Sequence, residues 1–187
     1  IQHRLAAIAP SFSLQDPDMN QPARFRTLIS TAGTTADILS ILKNLNGAGL
    51  SDILAVRAII EPEAAAAAVS SATGADIDAI VAAHEQASLQ TGLEGFEMWD
   101  TEFHRLIYAA TRNQLLISLH DILKGSRARP SWIALKGKVF TEEKRRDYCR
   151  HHGEVADCIR NRDSQGAAQA MAVHINTIRN NLFGRSV

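Results

Sequence analysis

The 187-residue sequence has few of the features that mark secreted or membrane-bound proteins. It contains only two cysteines, Cys149 and Cys158, which form no CxxC pair, so we expect reduced thiols in a reducing compartment. No apolar run approaches the roughly 20 residues that span a bilayer. The first residues lack the apolar segment and cleavage site of a signal peptide. We therefore expect a cytoplasmic protein that does not contact a membrane.

The sequence also lacks an excess of charge of either sign. Lys and Arg number 20 and Asp and Glu number 20, so the formal net charge is zero. This balance gives no overall basic field for nucleic acid. The sequence has no GxSxG, HExxH, Walker loop or GxGxxG, and we therefore predict that it is not an enzyme. Hydrophobic residues make up 45% of the sequence and charged residues 21%, which is typical of a globular domain that can bury a core.

The first 50 residues differ from the rest of the chain. The stretch SFSLQDPDMNQPARF contains two prolines and little periodicity, and a predicted helix, TTADILSILKNLNGAG, ends at the stop signal Asn46-Gly47. We predict that residues 1–50 form a linker or N-terminal arm. Residues 51–187 then form one helical domain.

From Ser51 onward almost every segment has helical spacing, and strand signals are nearly absent. Ser51, Asn113, Thr141 and Asp163 each stand where a helix cap is expected. In the first of these helices the apolar positions Leu54, Ala58, Ile59 and Ala65 have helical spacing, which predicts its inward face. Pro62 inside this helix predicts a kink just before it. The stretch SWIALKGKVF is ambiguous, either a short helix or part of one broken near its glycine. The pattern predicts an all-α antiparallel bundle of six or seven helices.

Four polar residues fall on apolar helix faces. Asp100 and His104 are four residues apart in WDTEFHRLIYAATRN, so they share one face with large apolar side chains. His152 lies in a stripe with Tyr148, Val155 and Ile159. His174 lies in a stripe with Ala167, Met171, Ile178 and Leu182.

Burying four such groups costs several kcal/mol unless they are paired or ligated. Three neutral imidazoles and one carboxylate make a three-nitrogen, one-oxygen site for a divalent metal. Two alternatives stay open from the residues alone. Each histidine could be a hydrogen-bonded core residue, and Asp100 with His104 could be a simple buried ion pair.

Arg57 is a further candidate because Glu61 follows it at four residues. A surface ion pair is the simpler interpretation on sequence alone. The functional alternative is an arginine turned inward to clamp a carboxylate ligand with two hydrogen bonds. His151 is the rival of His152, with Val155 and Cys158 on its side, but the stripe of His152 is the better packed, so we interpret His151 as peripheral. His3, His84 and His120 show no partner spacing, and we predict surface positions for them.

Taken in order, these pieces resemble a known family. They are RxxxE from Arg57 to Glu61 with EPEAAAAA, DxxFH from Asp100 to His104 with AATRN, HxxxxxCIRNRD from His152, and AMAVH ending at His174. The set is similar to the FCD domain, the C-terminal effector-binding domain in the FadR subfamily of GntR transcription regulators. The resemblance covers roughly residues 51–183.

The resemblance implies an all-helical bundle with a central ligand and metal cavity. It implies that Asp100, His104, His152 and His174 bind a divalent transition metal, with zinc favoured over nickel or manganese. A small carboxylate effector would bind near or on that metal, and Arg57 matches the arginine that can face the effector.

One part of the family pattern is missing. Residues 1–50 are too short for the winged helix–turn–helix domain that normally precedes an FCD domain. We therefore expect operator DNA to be bound by the parent protein through a domain absent from this chain, and we expect a homodimer as in the family. Two other functions stay open: a metal-free helical interaction module, and a small metal-dependent enzyme, for which no free general base is recognisable.

Overall fold

The computed structural model describes residues 47–127 and 129–184, so the predictions for residues 1–46 lie outside the described residues. The chain divides into two compact units, Ile1–Gly47 and Ala48–Val187, and the described helices lie in the second. Seven α-helices and no strand are present in the described part of the chain. They are α1 (Leu50–Ser71), α2 (Gly74–Leu89), α3 (Leu93–Ala110), α4 (Gln114–Arg127), α5 (Pro130–Val139), α6 (Glu142–Arg160) and α7 (Ser164–Phe183). The prediction of an all-α bundle is confirmed.

Local capping explains where several helices begin. The Asp163 carboxylate accepts a hydrogen bond from the Gly166 N–H at 2.8 Å. The Thr141 hydroxyl accepts one from the Lys144 N–H at 3.3 Å, and the Asn113 side chain accepts one from the Leu115 N–H at 3.0 Å. These three predicted caps are therefore correct.

Two boundaries differ from the predicted ones. Helix α1 begins at Leu50, and its cap is Gly49 and not the predicted Ser51, because the Asp52 carboxylate accepts the N–H of Gly49 at 2.9 Å and fixes the start two residues earlier. The ambiguous stretch is one helix, α5, with Pro130 in its first turn, where a missing N–H costs no hydrogen bond. Helix α1 continues through Pro62, and the predicted kink there stays a prediction.

Five helices meet in the core. Helix α7 packs against α1 and α6, α2 packs against α3 and α6, and α1 also contacts α3. Helices α4 and α5 lie against the others with fewer contacts. No helix among the described residues is both long enough and apolar enough to cross a membrane.

The inward face of α1 agrees with the predicted one only in part. Leu54 and Ala65 are buried as predicted, whereas Ile59 is 72% exposed. Arg57 and Glu61 lie between them on the buried face, in steps of three or four residues. The large apolar Ile59 misled the prediction, because here small alanines and an ion pair occupy the buried face.

Candidate metal centre

Three helices bring the four predicted ligand residues together. Asp100 and His104 come from α3, His152 from α6 and His174 from α7. Each of these four residues, the ligand cluster, is only 0–1% exposed. Each offers one ligand atom, and these atoms all lie within 4.8 Å of one another. Residues that lie far apart in the sequence thus form one compact group of nitrogen and oxygen donors.

Aromatic rings from the same helices orient the imidazoles. Phe103 stacks on His152 with ring centroids 4.3 Å apart and an angle of 20° between the planes. Phe96 lies parallel to the same imidazole at 6.4 Å, and Tyr148 meets His174 edge-on at 6.0 Å. These close-packed rings leave the imidazoles little freedom to rotate, so the donor atoms keep their positions.

The ligand cluster has more hydrogen-bond acceptor atoms than N–H protons that could be donated to them. The Nε2 atom of His152 lies 3.2 Å from Asp100 Oδ1 and 3.2 Å from Nε2 of His174. A neutral His152 has at most one proton on that atom, which both neighbours would have to share. The buried His104 Nε2 has no hydrogen-bond partner. A buried polar atom without a partner is costly, and a cation among these lone pairs would relieve the cost.

The imidazoles of α6 and α7 are held in their neutral form. Burial lowers the pKa of His152 to about 4, although Asp100 beside it acts in the opposite direction. Burial also lowers the pKa of His174 well below its usual value, and His152 and His104 lower it further. Neutral imidazole is the form that binds a metal, so both residues are ready for one at neutral pH. The donor set therefore fits a divalent transition metal.

Arg57 and Glu61 lie inside the protein, next to the ligand cluster. The simpler interpretation, a surface pair, is wrong, because Arg57 is 1% and Glu61 2% exposed. Arg57 donates from Nε to Glu61 Oε1 at 2.6 Å and from Nη2 to Oε2 at 3.2 Å. Glu61 Oε2 also lies 2.9 Å from Nδ1 of His104. The Arg57 Nη1 atom is buried and has no hydrogen-bond partner.

The charges of this group control the ionisation of Glu61. Burial by itself would raise the pKa of the carboxyl, but Arg57 and His104 lower it well below its usual range. The sequence did not reveal Glu61 as a neighbour of the ligand cluster. Its position on the Leu54–Ala65 face was the available signal, and the size of Ile59 obscured it. The role of Arg57 towards an effector stays a prediction.

Two histidines expected near the surface are buried. His151 is 3% exposed, lies 3.1 Å from Arg150 Nη2 and meets the His174 ring at 6.0 Å. His120 is 4% exposed and packs on the Tyr108 ring at 4.9 Å. The reason in α6 is that this helix has neighbours on several sides, α1, α2 and α7, so it buries more than one stripe. His84 is partly buried, and His3 lies outside the described residues.

Lys136 is a buried cation that the sequence did not reveal. It is 1% exposed, forms an ion pair with Glu97, and its Nζ atom lies 5.2–5.8 Å from the ring centroids of Phe96, Trp132 and Tyr148. A cavity of about 530 Å³ adjoins it, lined by residues of α3, α4 and α5. No residue of the ligand cluster lines this cavity.

The fold and the site together define an all-helical domain with a buried candidate metal centre. The FCD domain family matches residues 52–177, which is more than half of the chain. The chain therefore belongs to the FCD domain family. This result agrees with the resemblance seen in the sequence motifs.

Two known proteins extend the comparison. The chain is 27% identical over 142 residues to the Uxu operon transcriptional regulator of Escherichia coli K12. The matched region covers 74% of this chain and 55% of that protein. It is similar in fold to the structure of a Streptococcus agalactiae GntR, with a TM-score of 0.59 and 22% identity. That match covers 70% of this chain and 57% of the other. The chain thus spans little more than half the length of these relatives.

These matches support the predicted class, a GntR-type regulator with an FCD domain, and do not specify the FadR subfamily. The Escherichia coli relative is named a transcriptional regulator.

Proposed function

We propose that this chain is the effector-sensing domain of a GntR-type transcription regulator, and that it binds a divalent metal and a small carboxylate. The observation that carries the proposal is the ligand cluster, four buried donors within 4.8 Å of one another. Zinc is the favoured metal because it accepts nitrogen and oxygen ligands and can expand from four ligands to five, which leaves a position for an effector oxygen; nickel and manganese are the alternatives.

Asp100, His104, His152 and His174 would hold the metal. Bound there, a metal supplies Lewis acidity that can hold a carboxylate through an open coordination position. The buried Arg57 Nη1 has no hydrogen-bond partner, so it can donate to the same carboxylate. The effector would change the protein only through its different affinities for two packing arrangements of the helices.

The parent protein would convert this change into a change in DNA binding. Operator DNA would be bound by a winged helix–turn–helix domain outside this chain, in a homodimer in the cytoplasm. The comparison with a transcriptional regulator supports this part of the proposal. The zero net charge of the chain agrees with DNA binding by another domain.

Elemental analysis of protein purified without added metal tests the proposal. We expect about one equivalent of a transition metal per chain in the wild type and none in His174→Ala. His120→Ala is the matched control, because it removes a buried histidine outside the ligand cluster and should retain the metal. Absence of metal from the wild type, even after incubation with zinc, nickel or manganese, would contradict the proposal and favour a metal-free interaction module.

The carboxylate is tested on the metal-loaded protein. Small carboxylates and their neutral amides are compared by thermal shift in the wild type and in Arg57→Met. We expect a carboxylate to stabilise the wild type, its amide to have no effect, and Arg57→Met to lose the response. Equal thermal shifts of both proteins with every carboxylate would show that Arg57 does not bind the effector.

A further inference from the structure

Glu61 touches both halves of the proposed site. Its two oxygens accept from Nε and Nη2 of Arg57, and Oε2 lies 2.9 Å from Nδ1 of His104. All three side chains are 1–3% exposed. Glu61 is therefore placed to act on a residue of the ligand cluster, His104, and on Arg57 at the same time.

The first consequence concerns the tautomer of His104. A carboxylate at hydrogen-bond distance from Nδ1 favours a proton on that nitrogen, and the proton leaves Nε2 with a free lone pair. Neither ring nitrogen of His104 makes a hydrogen bond of good geometry, but only Nδ1 has a carboxylate oxygen close by, Glu61 Oε2 at 2.9 Å. A carboxylate behind a ligating imidazole also makes the imidazole a better donor. Glu61 thus prepares His104 to bind a metal through Nε2.

The second consequence concerns Arg57. The guanidinium donates to Glu61 through Nε and Nη2. Its Nη1 atom has no hydrogen-bond partner and can donate to another acceptor. The Glu61 charge is therefore shared between a permanent cation and the imidazole of a metal ligand. Arg57 is a permanent cation that is separated from His104 by one carboxylate, so its charge opposes the arrival of a metal cation.

We propose that Glu61 is a positioning residue that couples Arg57 to the metal site, by fixing His104 for ligation while it shares its charge with the arginine. This inference rests on the proposed function, because it assumes that the ligand cluster binds a metal. A carboxylate that binds the free end of Arg57 would leave more of the Glu61 charge for His104. Binding of the effector would then raise the affinity for the metal, and binding of the metal would raise the affinity for the effector by the same factor.

The experiment measures the dissociation constant for Zn²⁺ alone, by competition with a chromophoric chelator, in the wild type, Glu61→Gln, Arg57→Met and Glu97→Gln. We expect Glu61→Gln to bind Zn²⁺ roughly 10- to 100-fold more weakly, the usual effect of removing the partner of a ligating histidine. Arg57→Met should bind it more tightly than the wild type, because a cation is removed and Glu61 keeps its charge for His104.

Glu97→Gln is the matched control, since it removes another carboxylate paired with a buried cation, Lys136, outside the ligand cluster. It should bind Zn²⁺ like the wild type. The opposite signs expected for Glu61→Gln and Arg57→Met separate coupling from a structural role, because loss of a buried pair would weaken the fold in both variants.

A second measurement needs no variant. Long-range ¹H–¹⁵N spectra of the Zn²⁺-loaded wild type should show His104 protonated at Nδ1, and protonation at Nε2 would overturn the inference. It is also overturned if Glu61→Gln binds Zn²⁺ as the wild type does, or if Arg57→Met weakens binding as much as Glu61→Gln. A wild type that binds no Zn²⁺ would instead overturn the proposed function, and this inference with it.

Discussion

At the scale of single residues, burial changes the proton affinity of the histidines. The pKa of His152 falls to about 4, mainly because burial disfavours its charged form. In the unfolded chain the pKa of the same imidazole is near its ordinary value of 6.5. At a pH between about 4 and 6.5, this imidazole binds a proton in the unfolded chain but not in the folded protein. Lowering the pH therefore favours unfolding in this window.

We expect the metal-free protein to lose stability as the pH falls from 7 to 5. His152 alone should contribute a loss of about 2 kcal/mol over this range, and His174 a loss of the same sign. Urea unfolding at both pH values, with a chelator present, measures it. Glu61 has a lowered pKa and loses its stabilising effect only below about pH 4.5, outside this window.

The variant His152→Gln is the comparison, because it removes the titrating imidazole. It should have a smaller difference between pH 7 and pH 5 than the wild type. A wild-type stability that is equal at the two pH values would contradict the neutral, buried state of the imidazoles.

The candidate site was partly predictable at this scale. Asp100, His104, His152 and His174 stand on clear apolar stripes, and all four are buried as that pattern indicates. Glu61 and His151 were assigned wrongly, for different reasons. The apolar Ile59 drew the predicted face of α1 away from Glu61, and α6 has more than one buried side, which a single stripe does not describe.

At the scale of helices, the start of α7 depends on one side chain. The Asp163 carboxylate accepts from the Gly166 N–H at 2.8 Å, and α7 carries His174 into the ligand cluster. We expect Asp163→Ala to lower the free energy of unfolding by about 1 kcal/mol, because an N–H at the helix start loses its partner. Chemical denaturation measures the loss. Asp163→Asn keeps an accepting oxygen and should lose less; an equal loss in both variants would exclude the cap as the cause.

Helix α5 is attached to the bundle largely through Trp132 and Lys136, its two buried side chains. Lys136 pairs with Glu97 on α3 and lies among three aromatic rings. We expect Lys136→Ala to increase hydrogen exchange of the amides of residues 130–139 by about tenfold or more, a local change of roughly 1.4 kcal/mol. The exposed Lys138 of the same helix, changed to alanine, is the control.

Exchange in α6 and α7 should stay as in the wild type. An increase spread evenly over all helices would show that Lys136 stabilises the whole bundle and does not serve mainly to attach α5.

At the scale of the whole molecule, the ligand cluster joins α3, α6 and α7 at one point. A metal that binds only the folded protein stabilises it by mass action. Zn²⁺ at 100 times its dissociation constant should add about 2.7 kcal/mol and raise the melting temperature by roughly 5–10 °C. Thermal denaturation with and without a chelator measures this effect.

His174→Ala should lose the temperature shift, and His120→Ala should retain it. An equal rise in His174→Ala would locate the stabilising ion elsewhere in the protein.

The sequence by itself determined the helices and the identity of the four candidate ligands. Cap residues such as Asn113, Thr141 and Asp163 act within one turn, and stripes such as the one containing His174 depend on helical periodicity alone. Both signals are local, so they can be read without knowledge of the fold. The grouping of motifs in their order also sufficed to predict the FCD family.

Only the tertiary structure decided which charges are buried together. Arg57 and Glu61 look the same in sequence whether they face water or α3, and Lys136 has no pattern that marks it as buried. The contact between Glu61 and His104 joins positions 43 residues apart, from 61 to 104, and depends on how α1 lies against α3. Helical spacing fixes the angle of a side chain about its own helix axis, whereas a contact between helices also depends on their distance and rotation. Packing of the whole bundle sets these two quantities.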